Sequence, residues 1–202
     1  DGGGETPTRF VLVGFARSNK VWATGIGALK AARLRVSGLR AKGDAVWCVV
    51  CGKPASHFLD YGRPVRQGVK CPHCGSLERH RMIVHLMNAR VEIQSLSGTV
   101  LHVAPEPCMV KPLQEGFGEY LSGDLTNAAA QLKLDLTNLD LATNSIDLVL
   151  CIHVLEHIPD DAAAMKETRR VLKDGGIALI NVPIRGSETY EDSTIVVPEG
   201  RR

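Results

Sequence analysis

The chain has 202 residues, 44% hydrophobic and 23% charged, with a formal net charge of +2. These proportions exclude a disordered polypeptide, and the length suits one ordinary domain plus a small satellite. The longest apolar run near the N-terminus, Phe10 to Val13 continued through Ala16, falls far short of the roughly 20 residues that cross a bilayer, and no small-residue cleavage site completes a secretory signal.

The small net charge hides a gradient. Residues 17–43 carry seven basic side chains (Arg17, Lys20, Lys30, Arg33, Arg35, Arg40 and Lys42) and no acid; residues 44–82 carry six basic and three acidic, and residues 83–202 ten basic and seventeen acidic. A basic leading segment ahead of an acidic body divides labour along the chain. The segment reads as a solvated helical arm, as a contact for an anionic partner or larger assembly, or as the remains of an organelle-targeting region. Asp1 to Pro7 (DGGGETP) reads as a processing remnant.

In chain order, residues 18–42 have helix-compatible composition weakened by Gly25, Gly27 and Gly38, so residues 1–43 form a basic, partly helical extension. Residues 44–82 are short apolar pieces among Gly, Pro and Cys, as in a small metal-stapled module with the start of a linking helix. Within them Cys48 and Cys51, then Cys71 and Cys74, form two C-x2-C pairs 19 residues apart. Each pair lets two thiolates reach one ion from a tight turn, and two such turns complete a tetrahedral S4 site for structural Zn²⁺. Four sulfurs leave no open coordination position, which favours a structural over a catalytic zinc. Cys108 and Cys151 stand apart, and this usage predicts an intracellular, reducing compartment: the cytoplasm, or an organelle matrix where the basic N-terminus follows a targeting region. His73, between ligand cysteines, is an alternative ligand. Arg79, His80 and Arg81 are either a solvated or capping cluster or an anion contact.

Leu77 to Ala89 restores helical spacing. From residue 83 to 202 strand and helix signals alternate: strands at 99–104 (TVLHVA), 119–125 (EYLSGDL), 132–136 (LKLDL), 145–152 (SIDLVLCI) and 177–183 (IALINVP), with a helix over 159–176. Asp160 or Asp161 caps that helix, Met165, Thr168, Val171 and Leu172 form its buried stripe, and Gly175 ends it. This alternation implies a mostly parallel α/β sheet flanked by helices. Such sheets bind ligands beyond the carboxyl ends of their strands, which singles out Ala104 to Pro107, Asp124, Asp135 and Cys151 to His153. Asp124, at the end of the second strand, reads as a ribose ligand or as a turn residue, since a carboxylate accepts two hydrogen bonds from a diol.

The stretch from Leu132 to Pro183 resembles the central half of class I S-adenosylmethionine-dependent methyltransferases. The resemblance rests on Asp135, on Ser145-Ile146-Asp147-Leu148-Val149, on Val154-Leu155-Glu156-His157-Ile158 and on Arg170 to Gly176, and it covers about residues 99–184. CPHCGSLERHR, residues 71–81, also resembles zinc ribbons joined to such enzymes. The resemblance implies a Rossmann-like fold in which the first-strand loop cradles the methionine end of S-adenosylmethionine. Asp124 with Leu125 would bind ribose, Asp135 with Leu136 would border adenine, and Cys151, Ile152 and His153 would line the cleft near the methyl group. His153 is the candidate base, or else a packing residue.

This sequence departs from the family in two places. His102 stands where a first-strand acid is usual, and Ala104 and Glu106 occupy glycine positions; Glu106 is then the carboxylate that faces the ligand's amino group. The last strands of the family also find little counterpart, since only a short strand at Thr194–Val197 is legible after Pro183, as if the chain were truncated there or lacked that sheet edge. The leading expectation is methyl transfer to a small-molecule or RNA acceptor. The alternatives are a methyltransferase-like structural subunit with a decayed cofactor site, docked in a larger assembly, and an RNA-binding zinc module carrying a passive domain.

Overall fold

The computed structural model describes residues 9–16 and 27–184, with side chains from residue 32 to 184. In chain order the elements are β1 (Arg9–Ala16), α1 (Gly27–Arg40), β2 (Val46–Cys48), β3 (Lys53–Ala55), β4 (Leu59–Tyr61), β5 (Arg66–Lys70), α2 (Glu78–Ala89) and α3 (Val91–Gln94). They continue as β6 (Thr99–Val103), α4 (Pro107–Gly116), β7 (Glu119–Asp124), β8 (Leu132–Lys133), β9 (Ile146–Ile152), α5 (Asp161–Val171) and β10 (Leu172–Ile184). They group into two compact units: residues 18–90 with 107–112, and residues 1–17, 91–106 and 113–202. Helix α1 of the basic segment and the cysteine module, separated at residue 43 on sequence grounds, thus fall within one unit. No helix among the described residues is long and apolar enough to cross a membrane.

The larger unit is a six-stranded sheet in the order β8-β7-β6-β9-β10-β1, with every neighbouring pair parallel. Its architecture is α/β and Rossmann-like. β9, Ile146–Ile152, is buried along almost its whole length, as its unbroken apolar run requires of a strand covered on both faces. Leu101, Val149, Leu172, Ala178 and Ile180 pack into one core, where each large aliphatic side chain contributes about 1.5–3 kcal/mol on burial. Polar groups set the strand ends. The Asp147 carboxylate accepts from the Thr99 N–H at 2.7 Å and from Lys173 Nζ at 2.7 Å, and a Cβ on Gly98 would run into that carboxylate.

Four expectations change. β1 was not placed from sequence, yet Arg9–Ala16 pairs with β10 from Ile177 to Ile184; its apolar run was weighed only as a membrane span. The third strand shrinks to Leu132–Lys133 because only Gly123 and Asp124 of β7 are available as partners, and Asp135 closes a turn instead. The long helix stops at Val171 because Asn144 and Ser145 donate to the Arg170 and Val171 carbonyls at 3.0 and 2.9 Å. Gly175, with φ of 76°, therefore sits in an irregularity of β10 between Leu172 and Ile177, not at a helix end. Asp160 does cap α5, accepting from the Ala163 N–H at 2.8 Å. The short strand expected at Thr194–Val197 and residues 17–26 of the basic segment lie outside the described residues.

In the smaller unit two antiparallel pairs, β2–β3 and β4–β5, are too small to bury a core of their own, so cross-linking at the cysteines is what such a module needs.

Candidate functional site

From β6 the chain builds outward to β7 and β8, then returns to β9 on the other flank of β6. The connections leaving the carboxyl ends of β6 and β9 diverge at this reversal, and the crevice between them is where sheets of this kind take ligands.

Two residues flanking that crevice hold backbone conformations usually left to glycine. Ala104, directly after β6, has φ of 49°, and His153, directly after β9, has φ of 54°. Such a conformation costs a non-glycine residue about 1–3 kcal/mol and concentrates at ligand clamps. Neighbouring strands hold both in place: the Ala104 N–H donates to the Gly123 carbonyl at 2.8 Å, and the His153 N–H to the Asn181 carbonyl at 2.7 Å. Ala104 thereby holds a left-handed turn directly after β6 with a methyl where glycine has a hydrogen.

His102 is fully buried on β6. Its Nδ1 lies 3.1 Å from the Tyr120 hydroxyl and its Nε2 lies 3.3 Å from Glu106 Oε2. Glu106 is the N-cap residue of α4, yet its side chain makes no capping bond; it turns back to His102 instead. Burial pushes the Tyr120 phenol above its ordinary range, against a hydrogen bond with Ser122, and the Glu106 carboxylate adds to the rise.

Asp124 is buried at the end of β7, and its Oδ1 accepts from the Thr126 N–H, the Thr126 hydroxyl and the Asn127 N–H at 2.8, 3.2 and 2.7 Å. It is a turn residue through one oxygen. Leu125 beside it is exposed. Asp135 is exposed and closes its own turn, with its carboxyl held below the usual range first by the Thr137 hydroxyl and then by the Thr137 N–H. Leu136 is buried in the core with Leu134 and Leu139, away from solvent, and Ile152 is fully buried.

His153 is 5% exposed, and its Nδ1 lies 3.1 Å from Glu156 Oε1, which is also 3.8 Å from His157 Nε2. An ionised carboxylate only accepts, so Nδ1 carries the hydrogen and Nε2 is the basic nitrogen. The structure thus joins His102, Ala104 and Glu106 with Tyr120 at one side of the reversal, and His153 with Glu156 at the other. Tyr120 and Glu156 were not singled out from sequence. Glu156 stood three residues from His153, a spacing that a turn brings together; Tyr120 had no local signal.

The four cysteines of the smaller unit converge, with all four Sγ atoms within 4.8 Å of one another. Sulfurs on a tetrahedron of 2.3 Å metal bonds stand about 3.8 Å apart, and the Cys48–Cys74 and Cys51–Cys71 separations are both 3.8 Å. The donor set and spacing fit a tetrahedral ion. Gly52 and Gly75 follow the pairs with φ of 61° and 75°, and their N–H groups donate to the Cys48 and Cys71 carbonyls at 2.8 and 3.0 Å. The buried Ser76 hydroxyl lies 3.3 and 3.2 Å from the Cys48 and Cys74 sulfurs. His73 directs Nε2 to the Pro54 carbonyl at 2.9 Å rather than into the cluster. His80 Nδ1 accepts from the Leu77 N–H at 2.9 Å, and Arg81 donates to the Val69 and Ser76 carbonyls at 3.0 and 3.2 Å; both are capping and packing residues.

The family described as "Methyltransferase domain" matches residues 92–180. Methyltransferase GfsG of Streptomyces halstedii is 29% identical over 128 residues, 63% of this chain and 41% of that protein, so the match spans less than half of that relative's length. Among solved structures, the PH0226 protein of Pyrococcus horikoshii is 23% identical with a TM-score of 0.41, over 50% of this chain and 53% of that one. A SAM-dependent methyltransferase of Archaeoglobus fulgidus is 13% identical with a TM-score of 0.36, over 48% and 49%. The methyltransferase CalH in complex with SAH is 15% identical with a TM-score of 0.37, over 46% and 34%. From residue 92 to 180 the chain carries the sequence pattern of a methyltransferase domain.

Proposed function

We propose that the α/β unit binds S-adenosylmethionine at the β6–β9 reversal and transfers its methyl group to an acceptor. The observation that carries this reading is the left-handed pair Ala104 and His153, which flanks the crevice inside the segment that matches the methyltransferase domain. Glu106 receives the α-ammonium of the methionine end, Asp124 Oδ2 takes a ribose hydroxyl, and Asp135 borders the adenine. The bound cofactor supplies a methyl on an activated sulfonium, so the chain's main task is to align the acceptor with it. His153, fixed by Glu156, accepts through Nε2 the proton of an acceptor that must lose one.

Cys48, Cys51, Cys71 and Cys74 hold a structural Zn²⁺ in the smaller unit, consistent with an intracellular, reducing compartment. That unit carries fourteen Lys or Arg against three Asp or Glu, a net +11, while the α/β unit carries ten against nineteen, a net −9. The contrast favours an anionic acceptor, RNA, over a neutral small molecule. Incubation with S-adenosylmethionine labelled on the methyl group and a cell extract, with and without ribonuclease, tests both parts. Label should enter a macromolecular fraction and vanish on ribonuclease treatment. Label in a small-molecule fraction would overturn the RNA assignment, and no transfer to any fraction would overturn the enzyme reading.

A further inference from the structure

His102 and Tyr120 do work that the proposed reaction does not itself require. In the parallel pairing of β6 with β7, His102 stands opposite Ser122 and Val100 opposite Tyr120. Tyr120 is therefore two residues along β7 from the partner of His102, on the same face of the sheet, where long side chains meet diagonally. Their rings meet edge to face, with centroids 6.0 Å apart at 72°. A fully buried imidazole must satisfy both nitrogens within the protein, and His102 does so with Tyr120 on one side and Glu106 on the other.

The proton order in this chain follows from the chemistry of its ends. Two groups approach His102 Nε2: Glu106 Oε2 at 3.3 Å and the Glu106 N–H at 3.4 Å. One wants a donor and the other an acceptor. The carboxylate bond is the shorter and is charge-assisted, so it prevails, and Nε2 carries the hydrogen. Nδ1 then bears the lone pair, and the Tyr120 hydroxyl donates to it. The sequence of donors is Tyr120 O–H to Nδ1, then Nε2–H to Glu106. A carboxylate gripped from behind in this way presents its charge in one direction and loses little freedom when a cation arrives. Side-chain relative exposure of Glu106 is 14%, enough to meet a ligand but too little to stay fully hydrated.

We propose that His102 and Tyr120 are positioning residues that aim Glu106 at the α-ammonium of the cofactor, so that the first loop selects an amino-acid end without glycines or a first-strand acid. This rests on the cofactor site proposed above. Two probes separate the claims: S-adenosylhomocysteine, and its deamino analogue, which lacks only the α-ammonium. Calorimetry on the full chain should show the wild type preferring S-adenosylhomocysteine by about tenfold or more, the size of one charge-assisted hydrogen bond. Tyr120→Phe and His102→Gln should each shrink that preference while leaving affinity for the deamino analogue within about twofold. Either variant suffices should the other fail to fold. A preference that survives in the variants, or a wild type that binds both probes equally, overturns the positioning role while leaving the cofactor site intact. A wild type that binds neither probe overturns the cofactor reading and this inference with it.

Discussion

Asp124 shows how one side chain serves two purposes. Through Oδ1 it caps the turn at Thr126 and Asn127, and the proposed cofactor site gives Oδ2 a ribose hydroxyl. Asp124→Asn keeps a side-chain oxygen for the turn but removes the charge. The thermal midpoint should therefore stay close to wild type, while affinity for S-adenosylhomocysteine falls about tenfold, since hydrogen bonds to charged groups are worth about 1.5–3 kcal/mol. Calorimetry paired with thermal melts checks this, and unchanged affinity would remove the ribose role. At this scale the sequence was legible in where residues stand: Asp124 at the end of β7 and His153 directly after β9. Tyr120 was hidden because its meeting with His102 depends on the register of β6 against β7, which no local pattern specifies. The buried place of Leu136 was hidden likewise, since alternation within five residues does not say which face of a truncated strand meets the core.

Among the elements, the longest apolar runs were the most legible. β6, β7 and β9 lie within a residue or two of their expected ends, because buried parallel strands demand unbroken hydrophobic runs. The boundaries of α5 were less so, because its C-terminus is decided by a loop that packs on it. A second clamp holds the same helix: Glu167 accepts from the Leu139 N–H at 2.9 Å and from Arg170 Nη2 at 2.7 Å, while Arg170 donates to the Leu139 and Leu141 carbonyls, each at 2.8 Å. Hydrogen bonding to Arg170, then to the Leu139 backbone, brings the Glu167 carboxyl from 4.5 down to about 2. A carboxylate lowered on folding leaves the unfolded chain holding more protons between those values, so this contribution is present above pH 4.5 and is lost as pH falls towards 2. Glu167→Gln should melt lower than wild type at neutral pH and lose less of its midpoint between pH 5 and pH 2. Parallel melting curves for the two proteins across that window would contradict the clamp. In the cysteine module, Cys71→Ser or Cys74→Ser should lose bound zinc and unfold the β2–β5 region; full zinc stoichiometry in either variant would contradict the four-sulfur site.

For the whole molecule, charge and chemistry are divided between two units, the basic one holding the cysteine cluster and the acidic one holding the methyltransferase-like sheet. This division was legible as a gradient along the chain, but its boundary was not. Among the described residues, α1 and the cysteine module fall in one unit, and β1 belongs to the sheet. RNA binding through the basic unit would release counterions, so affinity should fall by about 10³-fold or more between 50 and 200 mM salt. Binding that hardly changes over that range would argue against phosphate contacts. The central claim is that a turn without glycines, Ala104 to Glu106, still admits the methionine end of S-adenosylmethionine. Titration of the folded, zinc-loaded chain with S-adenosylhomocysteine should show one saturable site per chain, and no heat at high micromolar ligand would contradict it.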